Sequence, residues 1–134
     1  MNESPDLAER ARSYLRSFAT RDPETIASHV ALGFVNDHAS ALGSPSAGRD
    51  EYLRRLPNFL ASMPGLRYDA GEPIVDGQRV AAPYTLHADG VTPAGEQVPV
   101  VILGVMLLDF EGPLIASRLD VWDALTYLRQ VGQA

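Results

Sequence analysis

The stretch ILGVMLLDFEGPLIASRLDVWD, residues 102–123, decides the fold because it holds two apolar runs on either side of a turn. Each run has the length and the aliphatic content of a strand. The first run extends back beyond the quoted stretch to Val98. It is apolar on both faces, which is typical of a central strand covered on both sides. From Val98 to Leu108 it is shorter than the ~18 apolar residues that a membrane span needs, so no membrane segment is predicted.

Strand signals continue through the rest of the second half. Two further strands are predicted over residues 66–75 and 78–88, LRYDAGEPIV and QRVAAPYTLHA. The Asp76–Gly77 pair between them predicts a tight turn. At the end of the chain, Asp123 is predicted to cap a short closing helix that begins at about Ala124. The second half therefore reads as a strand meander closed by a helix.

The first half reads as three helices. Residues 7–19 place apolar side chains at three- and four-residue spacings, which is one stripe of an amphipathic helix. Helices followed by a meander predict an α+β domain whose helices pack on one side of a curved sheet. The predicted helix starts are Ser4–Pro5, Asp22–Pro23 and a position near Arg49, with the second helix ending near Val30 and the third kinked or divided at Pro57.

The composition argues against several classes of function. With 134 residues and no linker or repeat, the chain is predicted to form a single domain, residues 1–134. The net charge of −6 with no basic run argues against a nucleic-acid or membrane-surface partner. The lack of cysteine and of an N-terminal apolar stretch predicts a cytoplasmic protein without disulfides. With no histidines at metal-ligand spacing and no glycine-rich nucleotide loop, neither a metal nor a cofactor is predicted.

The last strand brings a carboxylate and the single tryptophan to one face. Regular alternation places Arg118, Asp120 and Trp122 on one side and the aliphatic Leu119 and Val121 on the other. We expect the aliphatic side to pack against helices, which leaves Asp120 and Trp122 on the concave side. Burial beside an aromatic ring disfavours the charged form of a carboxylate, which suits a general acid or base. The alternative is that Asp120 only pairs with an arginine such as Arg118.

A second polar cluster, Asn36, Asp37 and His38, lies in an apolar neighbourhood, FVNDHAS. A histidine can act as base or donor near neutral pH, whereas an Asx-rich turn needs no function. Alternation forbids all three side chains from facing the same way, so either Asp37 or the pair Asn36 and His38 faces a pocket. Further candidates for the pocket wall are Tyr84, Met106, Gly104 and Arg118, while Tyr14 is most simply a core aromatic.

Several strings resemble the SnoaL-like branch of the nuclear-transport-factor-two-like superfamily over nearly the whole chain. They are ARSYLRSFATRDPETIASHV, GRDEYL and ILGVMLLDFEGPLIASRLDVWD. The resemblance implies a cone-shaped α+β barrel, in which a curved mixed sheet wraps around the N-terminal helices and encloses an apolar pocket. It also implies that the pocket holds a small apolar molecule. We expect a homodimer through the sheet face that bears Val101, Leu103 and Val105.

Two enzyme types on this fold are matched incompletely. The ketosteroid isomerases imply Tyr14 as an oxyanion donor and Asp37 as the base, but Gly104 stands where their second donor belongs. Limonene epoxide hydrolase implies a role for Asp120, but Ala82 and Tyr84 stand where its further polar pair belongs. Neither reaction is therefore favoured.

The SnoaL-like polyketide cyclases are the enzyme type whose requirements the sequence contradicts least. They rely on one acid–base aspartate, and the resemblance implies Asp120 for this role. The resemblance implies a histidine at this turn in many relatives, so His38, or alternatively Asn36, would then orient a substrate carbonyl. The resemblance thus implies a cofactor-independent cyclase or isomerase that acts on an apolar, carbonyl-bearing substrate, with Tyr14 or His38 stabilising the enolate oxygen. The alternative is a non-catalytic ligand-binding or interaction module, which the small Gly104 favours.

Overall fold

A computed structural model of the chain describes residues 5–38 and 45–134. Helix α1 spans Leu7–Ser17, and the Asp6 side chain caps it by accepting a hydrogen bond of 3.1 Å from the Glu9 backbone N–H. The predicted start at Pro5 is therefore wrong, because the capping oxygen comes from Asp6. The predicted cap Ser4 lies outside the described residues.

Two more helices complete the first half. Helix α2 begins at Pro23 after Asp22, as predicted, but it ends at Ala27 rather than near Val30. Helix α3 spans Arg49–Ser62 and contains Pro57, so the predicted division into two pieces does not occur. At the other end of the chain, helix α4 spans Ala124–Gln130. The cap predicted for it is confirmed, because Asp123 accepts a hydrogen bond of 3.0 Å from the Thr126 backbone N–H.

Seven strands form one mixed sheet in the order β2-β1-β7-β6-β5-β3, with β4 paired to β5. The β1 and β7 strands are parallel, and every other pairing is antiparallel. Helix α1 packs against β3 and β5, and α3 packs against β1. The predicted α+β class is confirmed. The strands are β1 Val30–His38, β2 Ser46–Ala47, β3 Arg67–Ala70, β4 Ile74–Asp76, β5 Arg79–Val91, β6 Gln97–Glu111 and β7 Leu114–Trp122.

Strand β1 is the main element that the sequence prediction missed. Its register against β7 shifts between Val30 and Val35, and the irregular stretch exposes Leu32 and Gly33. This irregularity disrupts the alternation that would mark a strand. The single strand predicted over residues 66–75 is also wrong, because residues 71–73 separate β3 from β4.

A bulge in β7 changes which side chains face the core. Ser117 pairs with Asp109 and Ile115 with Phe110, so one residue of β7 is left unpaired between them. As a result Ile115 is fully buried, although regular alternation places it on the other side from Asp120. The first part of the strand therefore contributes an aliphatic residue to the core, and the second part contributes polar ones.

The helices and the polar residues of β7 lie on the same side of the sheet. Arg118 and Asp120 are buried, whereas Val121 on the opposite side is 43% exposed. The prediction that the Val121 side packs against helices is therefore wrong. In β6, likewise, Leu103 is 70% exposed, so this strand is not covered on both sides within one chain. None of the helices in residues 5–38 and 45–134 is long and apolar enough to cross a membrane.

Candidate functional site

Neighbouring positions on β1 and β7 carry a cluster of polar residues on the inner side of the sheet. In the parallel register Asn36 lies beside Arg118, and His38 lies beside Asp120. Because side chains alternate along a strand, these four residues share the concave face. Asn36, Arg118 and Asp120 are buried, and His38 is half-buried.

Arg118 is the centre of this buried polar group. Its Nη1 donates a hydrogen bond of 2.8 Å to the Tyr14 hydroxyl, and its Nη2 lies 3.6 Å from Asp120 Oδ2. Only 6% of the residue is exposed. Since an arginine does not lose its proton in a protein, the buried cation depends on Asp120 for its compensating charge.

Tyr84 reaches Asp120 from two strands away, across β6. Its hydroxyl donates a hydrogen bond of 2.7 Å to Asp120 Oδ1. The ring passes over Gly104, where an added Cβ would lie 2.3 Å from both Cζ and the hydroxyl oxygen of Tyr84. Glycine is thus the residue that leaves room for this ring.

The Tyr14 hydroxyl also lies 2.5 Å from the Tyr52 hydroxyl. Burial raises the pKa of Tyr14 and raises the pKa of Tyr52 well above the usual range. Burial, followed by the Asp120 charge, also raises the pKa of Tyr84. All three hydroxyls therefore keep their protons at neutral pH and can donate hydrogen bonds.

A cavity of about 360 Å³ lies between α3, α4 and the concave face of the sheet. Trp122 and Tyr127 form part of its wall, with ring centroids 6.2 Å apart in an edge-to-face arrangement. Half of the chain's ten aromatic residues line it. The lining residues are Phe18, Asn36, His38, Tyr52, Arg55, Leu56, Phe59, Ser62, Met63, Arg118, Trp122 and Tyr127.

Three residues of this wall carry a buried polar atom without a hydrogen-bond partner. They are Asn36 Oδ1, His38 Nδ1 and Arg118 Nε, and Ser46 Oγ is the only other such side-chain atom among the described residues. A buried polar group left unpaired costs about 1–3 kcal/mol, so each of the three favours a ligand that supplies the missing partner. Burial, and then the Arg118 charge, lowers the pKa of His38, so its imidazole is neutral at neutral pH.

Residues 11–118, most of the chain, match the SnoaL-like domain. The chain belongs to the SnoaL-like domain family. No match was found among curated proteins.

Solved structures share the fold of this SnoaL-like domain. A protein from Shewanella denitrificans called a SnoaL-like polyketide cyclase superposes with a TM-score of 0.83 at 17% identity, over 97% of this chain and 99% of that one. A Catenulispora acidiphila protein with a ketosteroid isomerase-like fold, solved with trimethylamine, gives 0.83 at 16%, over 98% and 96%. TerC, co-crystallised with polyporic acid, gives 0.72 at 20%, over 92% and 96%. These similarities confirm the predicted cone-shaped fold.

The SnoaL-like domain brings only part of the predicted site to the cavity. Asn36, His38, Arg118 and Trp122 line it. Asp37 lies on the opposite face of β1, where it is exposed and its carboxylate accepts a hydrogen bond of 2.8 Å from the His38 backbone N–H. The predicted site residues that are buried in the core and do not line the cavity are Tyr14, Tyr84, Met106 and Asp120. Gly104 does not line the cavity either, and it is a half-buried residue covered by the Tyr84 ring.

Helix α3 supplies cavity residues that the sequence prediction missed. Tyr52, Leu56 and Phe59 follow one another at intervals of four and three residues, which places them on one side of the helix, and Met63 comes directly after the helix end. This spacing was the signal that could have found them. Within the described part of the chain, no three His, Asp or Glu side chains are grouped as metal ligands.

Proposed function

We propose that this SnoaL-like domain binds a small apolar molecule that carries a carbonyl oxygen, and that it catalyses a cofactor-independent proton transfer of the isomerase or cyclase kind. The observation that carries the proposal is that Asn36, His38 and Arg118, three residues that line one aromatic-rich cavity, each have a buried polar atom without a hydrogen-bond partner. A carbonyl oxygen would accept from Arg118, and the wall would bury the rest of the ligand.

The size and lining of the cavity restrict the ligand. A volume of about 360 Å³ is near the lower end of the ~300–1,000 Å³ range of ligand pockets, which favours a molecule of one or two rings. Aromatic side chains such as Phe18, Phe59 and Trp122 favour a flat ring system, because edge and face contacts between rings are stabilising. TerC, which shares this fold, was crystallised with polyporic acid, and this supports a small-molecule site here.

His38 is the group best placed to exchange a proton with such a ligand. It lines the cavity, its Nδ1 is unpartnered, and its lowered pKa keeps the imidazole in the form that accepts a proton. Asp120 is engaged by Tyr84 and Arg118 and lies behind the wall, so in this proposal its charge acts on His38 and Arg118 rather than on the ligand. The acid–base role expected for Asp120 thus moves to its neighbour on β1.

The engagement of Asp120 also favours a second candidate, a non-catalytic module that binds the same kind of ligand. In that case Tyr84 and Arg118 hold Asp120 only to stabilise the fold. An epoxide-hydrolase arrangement has less support. It needs a further polar pair, and Ala82 is a buried apolar residue while the Tyr84 hydroxyl is already bound to Asp120.

The test uses β-tetralone, a two-ring ketone whose carbon-bound protons exchange with deuterated solvent through the enolate. We expect the wild-type chain to accelerate this exchange, measured by NMR, and His38→Gln to reduce the acceleration about 10²–10⁴-fold, the usual contribution of a general base. Because burial and the Arg118 charge lower the pKa of His38, the exchange rate should be full at neutral pH and fall in acid, with a midpoint below the usual histidine range.

His87→Gln is the matched control, since His87 lies outside the cavity wall and pairs with Asp69 at 2.9 Å. It should leave the exchange rate unchanged. If ligand binding changes Trp122 fluorescence but no exchange is accelerated, the non-catalytic module is correct. Asp120→Asn leaves the buried Arg118 without its counter-charge, so denaturation in urea first establishes that this variant is folded. If the folded Asp120→Asn variant abolishes exchange while His38→Gln does not, the proton-transfer role returns to Asp120.

We also propose that the chain forms a homodimer through the outer face of β6 and β7. Leu103 is 70% exposed and Val101 and Val121 are each 43% exposed, which is costly for aliphatic residues on adjacent strands. Sedimentation at micromolar concentration should give twice the mass of the chain, and Leu103→Asp should give the monomer. Ile74→Asp, at an equally exposed aliphatic residue on β4, should leave the dimer intact.

A further inference from the structure

The Tyr14 hydroxyl connects Arg118 to Tyr52 by hydrogen bonds. Tyr14 is fully buried and does not line the cavity, whereas Tyr52 does. In the described structure the Tyr14 hydroxyl has two hydrogen-bond partners, Arg118 Nη1 at 2.8 Å and the Tyr52 hydroxyl at 2.5 Å.

The direction of these hydrogen bonds follows from the chemistry of the partners. A guanidinium carries only donors, so the Tyr14 oxygen must accept from Arg118. The Tyr14 proton then has one acceptor, the Tyr52 oxygen. If Tyr52 donated to Tyr14 instead, the Tyr14 proton would be buried without a partner, which native structures avoid.

We propose that Tyr52, at the end of the chain of donors from Arg118 through Tyr14, donates its hydroxyl proton in a hydrogen bond to the oxygen of the ligand in the cavity. This inference rests on the proposed function and specifies the ligand chemistry: an oxygen that holds or gains negative charge, such as an enolate or a phenolate. Tyr14 is then a positioning residue. The resemblance to ketosteroid isomerases implied the opposite, with Tyr14 as the direct donor.

Two further observations support this role of Tyr52. Burial raises the pKa of both Tyr14 and Tyr52, so each keeps its proton when an anionic oxygen binds. The Tyr52 hydroxyl accepts a hydrogen bond from Tyr14, which in turn accepts one from the charged Arg118. Such a series of hydrogen bonds polarises the last hydroxyl, so it donates a stronger hydrogen bond to an anion. Gly104 has no donor to offer and Tyr84 is bound to Asp120, so neither can take this place.

The experiment measures the affinity of para-nitrophenolate, whose visible absorbance distinguishes the ionised from the neutral form. Trp122 fluorescence reports binding in the cavity. At a pH where the free probe is ionised, Tyr52→Phe should weaken binding about tenfold to a hundredfold, the effect of losing one donor to a charged oxygen. Tyr14→Phe should weaken it less, about twofold to tenfold, because Tyr52 keeps its hydroxyl.

Tyr68→Phe is the matched control, since Tyr68 is a buried tyrosine outside the cavity wall. It should leave the affinity within about twofold of wild type. The double variant Tyr14→Phe/Tyr52→Phe leaves no tyrosine proton unpaired, but like Tyr14→Phe it removes the acceptor of Arg118 Nη1. Denaturation in urea therefore establishes that each variant is folded before its affinity is measured. The double variant should bind as weakly as Tyr52→Phe.

Unchanged affinity in Tyr52→Phe would overturn the inference, as would a larger loss in Tyr14→Phe than in Tyr52→Phe. If β-tetralone exchange is accelerated while Tyr52→Phe binds the phenolate normally, the proposed function stands and the Tyr52 role is wrong. If wild type binds neither probe, the proposed function fails, and this inference fails with it.

Discussion

Replacing Arg118 with methionine should lower the free energy of unfolding by about 3–5 kcal/mol, the usual cost of removing one partner of a buried ion pair. The pair is buried on both sides, with side-chain exposures of 6% for Arg118 and 7% for Asp120. Methionine preserves much of the volume, so packing loss is small and the effect reports the uncompensated carboxylate. Denaturation in urea measures it.

The double variant Arg118→Met/Asp120→Asn tests whether the stability lost in Arg118→Met comes from the unpaired charge or from changed packing. It removes both charges, so it should recover a large part of the stability lost in Arg118→Met. Arg79→Met is the matched control, because Arg79 pairs with Asp109 at 2.8 Å on the surface, with exposures of 68% and 44%. We expect it to cost no more than about 1 kcal/mol. Equal losses at the two arginines would show that burial of the pair is not what matters.

The sequence predicted the second half of the fold well because its signals are local. Apolar runs, the turn at Asp76–Gly77 and the Asp123 cap each depend on residues a few positions apart. Strand β1 depends instead on β7, which lies some eighty positions further along the chain, and its irregular register removes the local alternation. A parallel partner so far away in sequence leaves no short-range signal.

In the candidate site, too, the sequence predicted what depends on local spacing and missed what depends on contacts between distant residues. Alternation placed Asp120 and Trp122 on one face, and the structure agrees on this placement. Local periodicity, however, does not predict which of two side chains on one face lines the cavity and which lies behind its wall. Here the difference between Asp120 and Trp122 comes from Tyr84. The ring of Tyr84 crosses a neighbouring strand and holds Asp120 behind the cavity wall, while Trp122 remains in the wall. The empty space at Gly104, read from the sequence as a missing catalytic group, is filled by that ring.

The packing at Gly104 leads to the second large effect, in Gly104→Ala. The new Cβ would lie 2.3 Å from the Tyr84 ring, so the ring must move and its hydrogen bond to Asp120 must lengthen or break. Overpacking costs ~1–3 kcal/mol and a lost bond to a charged group ~1.5–3 kcal/mol, so we expect a loss of about 3–5 kcal/mol. Gly33→Ala makes the same chemical change where no atom lies within 4 Å, and it should change stability by less than ~0.5 kcal/mol.

A double-mutant cycle with Tyr84→Ala tests the cause of the Gly104→Ala loss. Tyr84→Ala alone removes a buried ring and its hydrogen bond, and is itself destabilising. Once the ring is gone, the methyl group at position 104 occupies vacated space, so Gly104→Ala should cost little in that background. Nearly all of the Gly104→Ala loss should therefore disappear, which corresponds to a coupling energy of about 3 kcal/mol or more in the favourable direction. Additive losses would mean that the Tyr84 ring is not held over Gly104, and that another contact fixes the position of Asp120.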